Sequence, residues 1–328
     1  MNLTPPTIRD VQPGELTACL QWLLGQVPVE RAQWIVSQLT NRVKLKQIAD
    51  ILTVEAVSDG ELASAAIAVL VKPNAGNLLA ISQYSKPPRK RAKKMPERIH
   101  AAVFQRLVAR LRAARVTFLQ TSTGPDEMAR NIYELGFDRL ATLAFFVLEA
   151  HAFAASSKAV SNADLRFEVV GDDLQRLSIA CEVAERSFAN TRDCPLLSDY
   201  RTAAEIVAGY RLASTFDPSL WRLLMVGEEP AGCLFLTQHP VGDADVGNID
   251  GSSRGAMELS YMGLVPEHRG RGLGNHILAE AVCVARQKNA IRMVLAVDIE
   301  NTPAIALYRR CDWLEAARES VWAMRITP

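Results

Sequence analysis

The chain lacks several features that mark other classes of protein. Its 328 residues carry a formal net charge of only +1, and aromatic residues make up 6%. Such a charge balance gives no general attraction to nucleic acid or to an acidic membrane surface. With 49% hydrophobic and 22% charged residues, the composition is that of a globular protein long enough for two domains.

Cysteine is scarce, and long apolar segments are missing. The six cysteines are scattered and none belongs to a Cys-x-x-Cys pair, which argues against a disulfide framework and favours a reducing compartment. The longest apolar run, residues 62–71, is too short to span a bilayer. Residues 1–10 contain no apolar segment typical of a secretion signal. We therefore expect a cytoplasmic protein with no membrane partner.

Three glycines, in contrast, alternate with other residues in one segment, Val265-Pro266-Glu267-His268-Arg269-Gly270-Arg271-Gly272-Leu273-Gly274. Residue patterns predict a strand over 258–265 before it and a helix over 275–288 after it. Glycines at a strand-to-helix turn let several N–H groups point at one anion, and the helix adds the positive end of its dipole. The segment indicates a pyrophosphate site, although it fits neither a Walker loop nor Gly-x-Gly-x-x-Gly.

A second motif follows the next predicted strand, residues 293–298. It reads Asn301-x-x-Ala304-x-x-Leu307-Tyr308. Together, in this order and at this separation, the two motifs resemble those of the GCN5-related N-acetyltransferases, the GNAT family. The resemblance implies an α/β (α+β) fold in which a mixed, largely antiparallel, twisted sheet is flanked by helices. It also implies a splayed pair of parallel strands at the acyl-CoA site.

The same resemblance implies acetyl-CoA as the acyl donor and suggests which residues bind it. The backbone of Leu264 and Val265 is expected to pair with pantetheine, as an added strand would. Asn301 is expected to hydrogen-bond pantetheine or its neighbouring backbone. The pyrophosphate is expected on the N–H groups of six residues, of which the two arginines add charge: Arg269, Gly270, Arg271, Gly272, Leu273 and Gly274.

Two residues are candidates for proton transfer. Tyr308 holds the position where this family often keeps a tyrosine near the thioester sulfur, so we interpret it as the general acid; a packed tyrosine is the alternative. Glu258, at the start of the strand that enters the glycine turn, can accept the amine proton directly or through water, or can be a surface glutamate. The histidines His239, His268 and His276 are too scattered for metal ligands, so no metal is expected, and His268 is expected to be exposed.

The two halves of the chain repeat one order of elements, which predicts two tandem GNAT-like domains. We place them at residues 1–152 and 164–328, with a linker at 153–163. The phrase around Tyr133 echoes the phrase around Tyr308, with uncertain alignment. The first half has a basic segment, residues 86–98, in place of the glycine turn. It contains no glycine, so we interpret the first half as catalytically degenerate.

Several alternatives remain open at this level. The basic segment is either a solvated loop or a side-chain contact to the phosphates of CoA or to a polyanion, and no aromatic residues interleave it for base stacking. Residues 237–256 form either a flap over the acceptor or a disordered loop. The predicted reaction is acetyl transfer to a primary amine on a small molecule or a protein. Other possibilities are a CoA-sensing module without turnover, and a protein N-acetyltransferase with the first half as docking domain.

Overall fold

The computed structural model describes residues 6–12, 14–25, 47–58, 60–71, 73–82, 97–124, 129–153, 164–213, 215–239 and 255–327, with isolated positions between 27 and 40. Most of the basic segment, the linker from residue 154 and most of the predicted flap lie outside these residues. Within the described part, no helix is both long and apolar enough to cross a membrane. The same part of the chain holds no group of three His, Cys, Asp or Glu side chains that could bind a metal ion.

Two compact units make up the chain, and each has its own core. The first comprises Met1–Arg139 together with Ser320–Pro328, and the second comprises Leu140–Glu319. The elements of the first unit, in chain order, are β1 (Thr7–Asp10), α1 (Leu16–Leu24), β2 (Ile51–Ser58), β3 (Glu61–Val71), β4 (Ala75–Ile81), α2 (Glu97–Ala113), β5 (Phe118–Thr123) and α3 (Ala129–Glu134).

The second unit repeats this order of strands, with two helices between its first antiparallel strands. The first of these helices is capped by the Asp173 carboxylate, and the second begins with a capping box between Thr202 and Glu205. Its elements are β6 (Asp138–Glu149), β7 (Leu165–Val169), α4 (Leu174–Ser187), α5 (Ala203–Leu212), β8 (Trp221–Val226), β9 (Glu229–Gln238), β10 (Met257–Leu264), α6 (Leu273–Gln287), β11 (Arg292–Asp298), α7 (Thr302–Arg310) and β12 (Leu314–Arg325).

Strand pairing confirms the predicted mixed, largely antiparallel sheet in both units. In the first unit the order is β1-β2-β3-β4-β5, and only β4 and β5 are parallel. In the second unit the order is β7-β8-β9-β10-β11-β6, and only β10 and β11 are parallel. The predicted fold class is therefore confirmed, with one parallel pair inside each sheet.

The unit bounds differ from the predicted domain bounds by one strand in each direction. Strand β6, predicted as the end of the first domain, pairs with β11 of the second unit and places Phe146 in that core. Residues 320–325 of β12, predicted as the end of the second domain, pair with β5. Trp322 packs in the first core and donates from Nε1 to the Thr123 hydroxyl (3.0 Å). The reason is that a strand belongs to the unit that contains its pairing partner. The repeat pattern in the sequence carries no information about pairing partners.

Backbone hydrogen bonds settle the alignment of the two repeated phrases. The Trp313 N–H donates to the carbonyl of Tyr308 (3.1 Å), and the Phe137 N–H donates to the carbonyl of Ile132 (3.3 Å). The structural counterpart of Tyr308 is therefore Ile132 and not Tyr133, whose side chain is 69% exposed. The apparent echo of the two tyrosines was wrong by one position.

Candidate active site

The parallel strands of the second unit separate soon after they begin to pair. Strands β10 and β11 are paired only at Met257 with Met293 and at Glu258 with Val294. Two residues after Glu258, Ser260 forms a bulge, because Leu259 and Tyr261 pair with adjacent residues of β9. The bulge turns β10 away from β11, so an opening begins beside Glu258. This is the splayed pair that the sequence predicted.

The glycine segment forms a turn with free donors at the far end of β10. Gly270 and Gly272 have φ angles of 73° and 77°, which L side chains rarely adopt, and Gly272 is the N-cap of α6. Among the described residues, no backbone acceptor pairs with the N–H groups of 270–274 outside the helix. Five consecutive donors at the positive end of a helix make an anion site.

The Arg269 side chain, in this segment, is structural and holds the turn. The Arg269 guanidinium donates to the carbonyls of Leu264 (3.0 Å), Ser187 (2.8 Å) and Ala189 (2.8 Å), and its own N–H donates to Pro266 (3.2 Å). Arg269 therefore ties the end of α4 to the turn, and its N–H is used within the protein. The charge of its guanidinium still lies on the turn.

His268 is buried, which corrects the expectation that it is exposed. Its side chain is 9% exposed, and Nδ1 accepts from Arg271 (2.9 Å) while Nε2 lies 3.4 Å from Glu229. Because Arg271 can only donate, the proton of the neutral ring sits on Nε2. The physical reason for the burial is the short helical turn at Pro266–His268, which leaves the imidazole inside the protein, in contact with Arg271.

Leu264 and Val265 have fewer backbone groups available for pairing with pantetheine than the sequence predicted. The Leu264 carbonyl accepts from Arg269, and the Val265 N–H donates to Ala231 (3.1 Å). Pantetheine pairing therefore stays a prediction for the remaining groups of this strand. Gly274, at the start of α6, is in close contact with α7, because an added Cβ would lie 3.1 Å from the Leu307 side chain. The two motifs are thus packed directly against each other.

Glu258 has a histidine partner that the sequence did not reveal. The Glu258 carboxylate lies 2.6 Å from Nε2 of His239, which follows β9. Both side chains are partly exposed, Glu258 at 39% and His239 at 18%. Tyr210 of α5 interacts electrostatically with Glu258, and burial raises the pKa of this phenol. Glu258 is therefore an accessible carboxylate within an organised group.

Asn301 lies beside two aspartates, Asp193 and Asp298, whose carboxylates bind each other's segment of backbone. We call this pair of hydrogen bonds the clasp. Asp193 accepts from the N–H of Asp298 (2.8 Å), and Asp298 accepts from the N–H of Cys194 (3.1 Å). Burial raises the pKa of Asp193, and hydrogen bonds from the Asp298 backbone and the Asn301 side chain oppose this shift. Asn301 thus uses its side chain on Asp193. The clasp joins the loop after α4 to the end of β11.

Tyr308 is buried, and its ring packs against Phe146 and Trp313. Only 5% of the residue is exposed. Burial raises the pKa of the phenol, and the nearby Asp193 raises it further. The hydroxyl therefore keeps its proton throughout the neutral range, which is what a general acid requires.

The sequence missed the residues that organise this site and found those with motif spacing. His239, Tyr210, Asp193 and Ser187 belong to no motif and come from four separate segments. Ser187 hydrogen-bonds the Tyr261 hydroxyl at 2.6 Å, and a Cβ on Gly263 would collide with it at 2.2 Å. A possible signal was the glycine in the strand at 263, because a strand glycine often marks a close approach.

The residues of this candidate site lie within a segment that matches a known family model. Residues 190–313 match the model of the Acetyltransferase (GNAT) family, and they include both motifs, Glu258 and Tyr308. This segment of the chain is therefore similar to the GNAT family. The resemblance proposed from the two motifs is confirmed.

Relatives and solved structures extend this likeness. Over 69 residues the chain is 36% identical to a mycothiol acetyltransferase of Clavibacter sepedonicus, a stretch that covers 21% of this chain and 22% of that protein. The match thus spans about a fifth of the relative's length. A tandem GNAT protein from the clavulanic acid biosynthesis pathway aligns over 99% of both chains, with a TM-score of 0.54 and 15% identity.

A GCN5-related N-acetyltransferase from Sphaerobacter thermophilus aligns over 98% of this chain and 96% of its own, with a TM-score of 0.57 and 16% identity. At such identities the likeness shows the fold alone. The fold is that of a tandem GNAT protein over nearly the whole chain, similar in outline to the one predicted from the internal repeat.

Proposed function

We propose that the protein is an acyl-CoA-dependent N-acetyltransferase that moves an acetyl group from acetyl-CoA to a primary amine. The observation that carries this proposal is the row of five free N–H donors at residues 270–274, which begins α6 beyond the opening between β10 and β11. A pyrophosphate needs such donors, and the opening gives a pantetheine arm a place to lie. The donor-binding residues are Leu264, Val265, Asn301 and those of the turn.

The proposed reaction is direct attack within a ternary complex. The amine nitrogen bonds to the thioester carbon, and Glu258 takes the proton that the nitrogen loses, directly or through water. As the carbon–sulfur bond breaks, the departing thiolate takes the proton of Tyr308. The proton on Glu258 leaves to solvent and solvent reprotonates Tyr308, so both groups return to their starting states. No metal takes part in this proposal.

The acceptor is an amine on a small molecule or on a protein. We propose that the first repeat, residues 1–152, is a degenerate copy that binds no acyl-CoA and supports folding or acceptor recognition. The catalytic copy is the repeat at residues 164–328, whose sheet is completed by strand β6, and residues 153–163 join the two repeats. In this proposal the basic segment at 86–98 takes no part in binding acyl-CoA.

An acetyl-CoA turnover screen across amine classes tests the proposal. Release of free CoA should depend on one class of amine, with mass spectrometry showing the acceptor heavier by one acetyl group. Small polyamines, amino sugars, amino-thiols and lysine peptides cover the small-molecule and protein alternatives. Tight binding of CoA without turnover on any amine would instead favour a CoA-sensing module.

A further inference from the structure

His239 and Glu258 form a close pair on two neighbouring strands. His239 lies just beyond β9, two residues after Thr237, which pairs directly with Glu258. Its N–H donates to the Ala256 carbonyl (2.9 Å), which fixes the backbone from which the imidazole reaches across. Because the period of a strand is two, His239 and Glu258 lie on one face as diagonal neighbours. The sheet itself therefore sets their geometry.

The distance between the two groups determines how they can act. At 2.6 Å, the contact between Nε2 and the carboxylate is a short, charge-assisted hydrogen bond. An ionised carboxylate can only accept, so the imidazole donates from Nε2. A neutral imidazole orients the carboxylate and leaves its other oxygen for the amine proton. A protonated imidazole makes an ion pair, which stabilises the carboxylate and makes it a poorer base.

We propose that His239 is a positioning residue for Glu258 and that its protonation switches the base off. This inference rests on the proposed function of Glu258. The pair would act as one unit. The acid limb of the pH–rate profile, where activity falls as the pH is lowered, would lie near neutral pH, where histidine titrates, and not in the carboxylate range. Activity would fall below that pH because the imidazolium holds the carboxylate.

Other groups face the pair from the elements packed around it. Strand β11 presents Val294 opposite Glu258, and β9 and β10 contribute the hydroxyls of Thr237 and Ser260, which hydrogen-bond each other at 2.8 Å. Helix α5 presents Tyr210. The titratable or charged groups that interact with Tyr210 are Asp193, Cys194, Arg201, Tyr261 and Glu258 itself. Burial keeps both phenols protonated, so neither contributes to the acid limb.

A nuclear magnetic resonance titration tests the pairing without any acceptor. The chain has only five histidines, so each imidazole can be assigned by substitution. In Glu258→Gln the titration midpoint of His239 should fall by about one pH unit, because the anionic partner is lost. His151, which is exposed, should keep its midpoint and serves as the internal control. An unmoved His239 midpoint would overturn the inference and leave the acetyltransferase proposal untouched.

Kinetic variants separate orientation from ionisation, using the amine found in the screen. His239→Gln keeps a donor toward Glu258 but cannot become charged, so its acid limb should move to lower pH while the plateau of kcat stays within about threefold. His239→Leu removes both functions, so kcat should fall roughly tenfold with an unchanged KM for acetyl-CoA. His151→Gln is the matched control. A pH profile of His239→Gln that overlays the wild type would contradict the switch.

Discussion

The two units have the same strand order and the same bulge but different residues at the positions proposed for catalysis. Strand β4 pairs with β5 at Ala75–Asn77, and Leu79 forms the bulge, as Ser260 does on β10. Two residues before each bulge, the second unit has Glu258 and the first has Asn77. The counterpart of Tyr308 is Ile132. The first unit thus keeps the same backbone but has neither of the residues proposed as acid and base.

A second difference lies in the opening between the parallel strands. In the first unit the Thr121 hydroxyl of β5 donates to the Leu78 carbonyl of β4 (2.8 Å), which bridges the separating strands. By strand pairing, the counterpart of Thr121 in the second unit is Leu295, whose side chain has no hydrogen-bond donor. The comparison teaches that the splay belongs to the fold, whereas an unbridged opening belongs to the proposed active copy.

A third difference lies at two positions on neighbouring strands, where the second unit has glycines and the first has serines. The second unit has Gly232 and Gly263, where a Cβ on Gly232 would lie 2.8 Å from the Gly263 carbonyl. At their counterparts the first unit has Ser64 and Ser82, whose hydroxyls lie 2.8 Å apart and both reach Nδ1 of His100. Burial lowers the pKa of His100, so this cluster is neutral near pH 7.

The largest effect is expected from Tyr308→Phe, which removes the hydroxyl that Ile132 also lacks. Because the proton is needed as the thiolate leaves, kcat should fall about a hundredfold or more while the Kd for acetyl-CoA stays nearly unchanged. Ile132→Val in the first unit is the control. Since burial raises the pKa of Tyr308, the wild type should show no loss of rate from its ionisation below about pH 10. An unchanged kcat, with chemistry rate-limiting, would remove Tyr308 from the mechanism.

Glu258→Gln gives the second unit the amide group that the first carries in Asn77. The rate should fall most, by about tenfold to a hundredfold, at low pH, where an alkyl amine is largely protonated and needs a base. Raising the pH should restore part of the rate because free amine forms without help. Asn77→Glu should have no effect. A profile equal to the wild type in shape and height would assign Glu258 a structural role alone.

Gly272→Val tests the glycine turn, which the first half lacks. The positive φ angle strains any L residue by about 1–2 kcal/mol, and the branched side chain crowds the N–H donors. The Kd for CoA, measured by calorimetry, should rise about tenfold or more. Gly60→Val is the matched control, because Gly60 has a similar φ angle of 81° and lies in open space in the first unit. Wild-type affinity in Gly272→Val would refute the turn as the phosphate site.

The smallest effect is expected from neutralising the basic segment, which is the first half's counterpart of the glycine turn in sequence. Replacing five of its seven cations with glutamine should change the KM for acetyl-CoA by less than about twofold at physiological salt. A large, salt-sensitive rise would show that the segment holds cofactor phosphates, and the interpretation of the first copy as degenerate would then fail. The substituted residues are Arg89, Lys90, Arg91, Lys93 and Lys94.

The fold was largely predictable because its elements have strong local patterns. The strand predicted at 293–298 is β11, which begins one residue earlier, and the helix predicted at 275–288 is α6, which begins two residues earlier and ends one residue earlier. The strands β1 and β7 were missed, because each is short and mostly only partly buried, so neither shows a clear alternation of apolar and polar residues. Local patterns do not encode pairing partners, which is why the places of β6 and β12 could not be predicted.

The candidate site was predictable only where chemistry depends on short spacing. The glycine turn and the helix of Tyr308 each lie within ten residues, so a motif can describe them. His239 is 19 residues from Glu258, and Asp193 is 105 residues from Asp298. Such partners meet only because strands and loops are brought together by the sheet, and a single sequence carries no signal of that contact.

The placement of β12 has a consequence for how the protein is made. The first unit pairs its strand β5 with residues 320–325, which the ribosome adds about two hundred residues later. The first core, with Trp322 inside it, cannot be completed until those residues have been made, however early its other strands emerge. Closing a loop of about two hundred residues makes this a slow, non-local step. The first unit can thus finish folding only after the sequence of the second unit has been made, and a chain truncated near residue 319 would lack the partner of β5.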